Sequence, residues 1–208
     1  MNKRTKPLSL DALFAFADTV EVLDRLPRAG YVMRGVSQPQ SVASHNWGVC
    51  LWTLLLAERM PERGSLDMRK ALTMATLHEV GEARLMDIPH PTRLVLGAQV
   101  VSDAERKIVR SILRDMPAAW LAAWEEFEDA KTLEARMVKA ADKLELMHRI
   151  LMYEKFHNGR LDEFWTWEKN FRWEGIPAAR ALFNAMKRRH RANGRKRTST
   201  SMPRSRSL

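Results

Sequence analysis

The residues best suited to chemistry in this chain fall in three short stretches. They are His45 at the end of Ser41-Val42-Ala43-Ser44-His45, the run His78-Glu79-Val80-Gly81-Glu82 with Asp87 nine residues after His78, and Asp142 within Ala140-Ala141-Asp142-Lys143-Leu144. Imidazoles and carboxylates without a thiolate suit a borderline-hard divalent ion, Mn, Co, Zn or Mg, that activates water. His78 and Glu79 are neighbours, about 100 degrees apart on an ideal helix, so both reach one ion only if it lies between their directions. Glu82 returns to the same face one turn later. Asp142 stands among Val138, Ala141, Leu144 and Leu146, where an ionised carboxylate needs a metal or a cationic partner. Taken singly, each residue has a plainer reading. His45 could be a polar residue at a helix start, Glu79 and Glu82 solvent-facing acids, and Asp142 a partner of Lys139 or Lys143. Their joint occurrence, in this order, favours the metal set.

Helices must bring these residues together. Ser9 opens an amphipathic stripe of Leu10, Leu13, Phe14, Ala17 and Val20, predicting a helix to about Asp24. A Pro- and Gly-bearing loop follows and ends at Ser41, an N-cap candidate for a second helix over Val42 to Met60. That helix is apolar on most sides and reads as central and buried, with His45 near its start. Ser65 or Asp67 begins a third helix that carries His78 and loses its pattern between Gly81 and Pro91. Further helices are expected near 101–115, 118–129, 131–157, 161–172 and 177–191. No strand pattern and no internal repeat occurs, so the fold class is all-α.

Composition narrows the function classes. A chain of 208 residues with 45% apolar content supports one buried domain, expected over 8–192. No run of about 18 uncharged apolar residues occurs, and no secretory signal is evident, so a cytoplasmic protein without a membrane span is expected. The single Cys50 excludes an internal disulfide and a thiolate cluster, and reads as a small buried side chain. The net charge of +10 is concentrated at one end. Residues 187–208 hold nine Lys and Arg and no acid, and removing those nine leaves +1 for the rest. Residues 193–208 are expected to be a disordered basic tail. Such a tail could make nonspecific nucleic-acid contacts, or it could simply be solvated.

Six segments carry a family resemblance: Leu26-Pro27-Arg28-Ala29-Gly30-Tyr31, Arg34-Gly35-Val36, Pro39 to His45, Leu77 to Ala83, Asp87-Ile88-Pro89 and Lys139 to Glu145. Together they resemble the HD-domain phosphohydrolases. The closest branch contains bacterial 5'-deoxynucleotidases, the HD-domain-containing protein 2 group and phage dATP triphosphohydrolases. The resemblance spans roughly residues 10 to 185. It implies a single-domain HD-type helical bundle and hydrolysis of a deoxynucleotide phosphate ester, most often in a homodimer or higher homo-oligomer. By the same resemblance His45, His78, Glu79 and Asp142 hold the metal, Glu82 is the acid near the attacking water, and Asp87 is a further acid at the site. Arg25 matches an arginine that contacts the phosphate, with Arg28 and Lys143 as further phosphate candidates and Tyr31 as a stacking surface for the base. The reaction is release of phosphate from a dNMP or, alternatively, of triphosphate from a dNTP. A third reading is an HD-fold nucleic-acid-associated protein without turnover. Two positions depart from the family pattern: Glu79 stands where an Asp is usual, and Ser44 where an acid is common.

Overall fold

Capping sets the helix starts that the site depends on. Ser9, Ser41, Asp67 and Thr132 each accept the backbone amide three residues further on, which satisfies one of the free N–H groups of the first turn. The computed structural model describes residues 7–200, with side chains to Asn193. The helices before the metal-motif turn are α1 Leu10–Val20, α2 Val22–Arg25, α3 Ala29–Val32, α4 Val42–Ala57 and α5 Met68–Leu77. After it come α6 Glu82–Leu85, α7 His90–Leu96, α8 Ala98–Ile112, α9 Ala118–Asp129, α10 Leu133–Lys155 and α11 Pro177–Thr200. No strand occurs among the described residues, only an isolated bridge between Pro27 and Ser41. No described helix is long and apolar enough to cross a membrane.

The long helix α10 is the axis of the bundle and packs against α4, α5, α9 and α11. Its buried face is built from Ala135, Met137, Val138, Ala140, Ala141, Leu144, Met147 and Ile150. The alanines in mid-helix let neighbouring backbones approach closely, and the methionines fill the irregular gaps that result.

Several elements differ from the sequence reading. The first expected helix breaks at Glu21 into α1 and α2. The expected helix over 161–172 is instead two 3₁₀ turns, Asp162–Trp165 and Glu168–Phe171. There the Asn170 amide donates to the Phe164 carbonyl at 2.9 Å and the Thr166 hydroxyl to the Glu163 carbonyl at 2.7 Å, so side chains take acceptors that a continuous helix would use. α6 and α7 occupy a stretch that showed no periodicity. α4 is apolar on most sides as expected, yet Trp47, Leu51, Leu54 and Leu55 on its outer side are 38 to 65% exposed. Cys50 is half-buried rather than buried, in the wall of an apolar groove of about 410 Å³ between α1, α4 and α5. α11 runs past the end expected near 191, while residues 201–208 of the basic tail lie outside the described residues.

Candidate metal centre

Four elements deliver the ligand candidates to one point. His45 lies in the first turn of α4, His78 caps the end of α5, Glu79 follows in the tight turn before α6, and Asp142 sits in the middle of α10. The His45 and His78 Nε2 atoms are 3.4 Å apart. Asp142 Oδ1 is 3.3 Å from His45 Nε2, and Glu79 Oε1 is 3.8 Å from both Nε2 atoms. One ligand atom each from His45, His78 and Glu79 falls within 4.8 Å of the others. The extra methylene of Glu79 therefore does not carry its carboxylate out of reach.

The outer nitrogens show what the inner ones offer. His78 Nδ1 lies 2.9 Å from the Ala75 carbonyl oxygen, which only accepts, so Nδ1 carries the proton and Nε2 is bare. His45 Nδ1 lies 2.7 Å from Glu145 Oε2, a carboxylate that assigns the same tautomer. Two lone pairs then face each other at 3.4 Å beside Asp142, an arrangement that repels unless a cation stands between them. Nitrogens each about 2.0–2.1 Å from one ion and separated by a right to tetrahedral angle are about 3.0–3.4 Å apart. The donor set present therefore fits a divalent ion.

Glu145 is the residue that the sequence reading missed. It lies one turn after Asp142 on the same face of α10, is 2% exposed, and also accepts from Gln40 Nε2 at 2.8 Å. A buried acid three residues after a ligand acid was the available signal. Gly48 makes its approach possible, because a Cβ there would sit 2.6 Å from the Glu145 Cγ. Such a carboxylate behind a ligand histidine fixes the ring and raises its basicity.

Arg28 closes the acidic side. Its Nη1 donates to Glu79 Oε1 at 2.7 Å and lies 3.7 Å from Glu82 Oε2, while its Nε is 3.8 Å from Asp87 Oδ2. Asp87 also accepts the Ala29 amide at 2.7 Å and so ties the loop that carries Arg28 to the end of α6. Arg25 is placed elsewhere. It ends α2, is about 70% exposed, pairs with Glu21 on the surface and does not line the cavity. Lys143 lies at the cavity wall with its ammonium 2.8 Å from Asp142 Oδ2, so Asp142 has the lysine partner of the plainer reading as well as its place beside the histidines. Tyr31 also lines the cavity, but it is 2% exposed and its ring packs on Tyr153 at 5.1 Å and Phe164 at 6.2 Å.

These groups front a cavity of about 550 Å³, within the range of small-molecule sites. Burial opposes the charge of Glu79, but the Arg28 guanidinium with His78 and His45 holds its carboxyl down at about 2. Glu82 has the opposite balance: burial and then the Glu79 charge push it up to about 10 against the pull of Arg28. Its Oε2 is buried without a hydrogen-bond partner among the described residues. Asp142 is also disfavoured by burial, yet Lys143 and the two histidines hold it well below the usual carboxylate range. Glu105, on α8 and absent from the sequence reading, is raised to about 7, chiefly by burial and then by Glu79.

Two imidazoles and two carboxylates converging inside an all-helical bundle define a histidine–carboxylate metal centre of the kind that serves hydrolysis. The chain belongs to the HD-domain family: the family model described as "HD domain" matches residues 20–180. A zebrafish (Danio rerio) protein named 5'-deoxynucleotidase HDDC2 is 26% identical over 194 residues, 91% of this chain and 94% of the relative. The Homo sapiens protein of that name is 25% identical over 158 residues, covering 74% and 75% of the two chains. Among solved structures, a Pyrococcus furiosus conserved hypothetical protein superimposes with a TM-score of 0.70 at 33% identity, covering 88% of this chain and 99% of that one. A "Predicted metal-dependent phosphohydrolase" from Magnetospirillum magnetotacticum shares the fold with a TM-score of 0.64 at 22% identity, covering 87% and 94%.

Proposed function

We propose that this chain is a metal-dependent 5'-deoxynucleotidase that hydrolyses a dNMP to a deoxynucleoside and phosphate. The observation that carries the reading is the meeting of His45, His78, Glu79 and Asp142 beside Arg28 and an unpartnered buried Glu82, at the wall of one cavity. The relatives named 5'-deoxynucleotidase, similar over most of both chains, supply the substrate class. When bound by the two histidines, Glu79 and Asp142, a Co, Mn, Zn or Mg ion supplies Lewis acidity toward a phosphoryl oxygen, acidifies bound water and opposes the burial that keeps Glu82 protonated.

The protein's own groups do the rest. Arg28 and Lys143 neutralise the phosphate through charge-assisted hydrogen bonds, each released from an acid that turns toward the ion. Glu82 takes the proton of the attacking water as the new oxygen–phosphorus bond forms. It passes that proton to the 5'-oxygen as the ester bond breaks. Asp87 is a positioning residue, holding the Ala29 amide and the Arg28 guanidinium. Tyr31 borders the nucleoside end of the cavity.

The protein acts as a homodimer in this reading. The exposed Trp47, Leu51, Leu54 and Leu55 stripe of α4 supports it, since such a patch is unusual on a monomer. The test incubates purified protein with each of Co, Mn, Mg and Zn against panels of dNMPs and dNTPs and resolves the products. Release of phosphate from a dNMP is expected. Triphosphate from a dNTP would replace the reading with a triphosphohydrolase, and no hydrolysis with any metal would leave only a binding role.

A further inference from the structure

Each acid that lines the cavity has a cation beside it, and one cation is left over. Glu79, Glu82 and Asp87 share Arg28; Glu105 lies 4.0 Å from Arg93, Glu128 3.5 Å from Lys139, and Asp142 2.8 Å from Lys143. At the rim, Arg172 is 3.9 Å from Glu174. Lys169, on the second 3₁₀ turn, lines the same cavity and pairs with no acid among the described residues. Its ammonium rests 4.9 Å from the centre of the Trp167 ring, on a turn held by the buried Asn170.

The surroundings of Lys169 are positive. Burial and then the nearby Lys143 charge lower its pKa, and the pKa of rim His90 is lowered by burial and then by Lys169 and Arg93. Two ammonium groups face one cavity with no acid between them, a disposition that an anion relieves. The ester phosphate cannot be that anion's whole account. Arg28 and Lys143 already flank the metal ligands, whereas Lys169 is carried by a different wall, beside Trp167 and Asn170.

We propose that Lys169, with Lys143, forms a second anion subsite at the cavity mouth, and that the preferred substrate is a deoxynucleotide with a second phosphate besides the one hydrolysed. The inference rests on the deoxynucleotidase reading and narrows its substrate class. The second phosphate belongs at the 3' position or on the 5' phosphate itself, and the shared chemistry is a phosphate dianion bridged by two ammonium groups.

The test compares a deoxynucleoside 5'-monophosphate, 5'-diphosphate and 3',5'-bisphosphate, by calorimetric binding and by kcat and KM, for the full chain and for Lys169→Ala, Lys169→Glu and Lys169→Arg. One of the two-phosphate nucleotides is expected to bind about tenfold tighter than the monophosphate, the value of one hydrogen bond between charged groups. Lys169→Ala should erase that preference through KM, Lys169→Glu should invert it, and Lys169→Arg should keep it. Equal affinity for all three nucleotides in the unmodified protein would overturn the subsite. So would an equal loss for all three in Lys169→Ala, which would make Lys169 a contact to the base or a general steering charge. If no nucleotide is hydrolysed with any metal, the deoxynucleotidase reading fails, and the calorimetric preference still decides the subsite.

Discussion

Replacing Glu145 by Gln removes one charge from behind His45 and keeps nearly the same shape. The carboxylate accepts from His45 Nδ1 at 2.7 Å, Gln40 Nε2 at 2.8 Å and Arg149 Nε at 3.4 Å. In Glu145→Gln the amide oxygen can keep the His45 bond, but the new NH₂ then faces the Gln40 NH₂. Gln40 Oε1 is buried without a partner, so turning that amide over converts two opposed donors into an N–H···O bond. Folding stability should consequently fall by only about 1 kcal/mol, rather than by the roughly 3–5 kcal/mol of a broken buried pair. The metal feels the lost charge fully, because a neutral acceptor no longer raises the basicity of the ring. Affinity should drop about 10- to 100-fold, equivalent to about 1.4–2.7 kcal/mol. Calorimetric titration of Mn²⁺ and Zn²⁺ into both proteins, with thermal melts of each, separates the two effects. Metal affinity within about twofold of the parent, in a variant that melts normally, would refute the claim that Glu145 orients a ligand histidine.

Gly48→Ala should destabilise the fold by about 1–3 kcal/mol and weaken metal binding, even though Ala in mid-helix ordinarily adds stability, because the new Cβ meets Glu145 at 2.6 Å. A rise in melting temperature would contradict the close-approach argument. Arg28→Ala should lower kcat/KM about 100-fold or more, whereas Arg25→Ala, at an exposed surface pair, should change it less than about threefold; steady-state kinetics with a dNMP ranks the two. Glu105 gives a pH signature. Its carboxyl is raised from the ordinary 4.5 to about 7, so the folded state holds its proton longer, and stability falls as pH rises across that interval. In metal-free protein Glu105→Gln should therefore gain up to about 3 kcal/mol above pH 7 and nothing below pH 4.5, as read from denaturant melts at both ends.

What the sequence could disclose was set by chain separation. Ser41, Asp67 and the apolar period of α10 act within a turn or two, so helix starts and the fold class were legible. The ligand types were legible as well, since a carboxylate such as Asp142 among Val138, Ala141 and Leu144 demands a compensating charge wherever it lands. Which groups compensate is decided across elements, and there local pattern carries little. Arg25 and Arg28 are three residues apart and chemically identical, but α2 ends at Arg25 while the loop after Pro27 turns Arg28 inward to Glu79, 51 residues away. The helix at 161–172 failed for the same reason, because Asn170 and Thr166 satisfy carbonyls that periodicity assigns to amides. Glu79 joins the two levels. A shorter Asp could serve the histidines, but the longer arm places one oxygen 2.7 Å from Arg28 and 3.8 Å from both imidazoles, so the departure from the family pattern couples the ion's ligand to the cation that meets the phosphate.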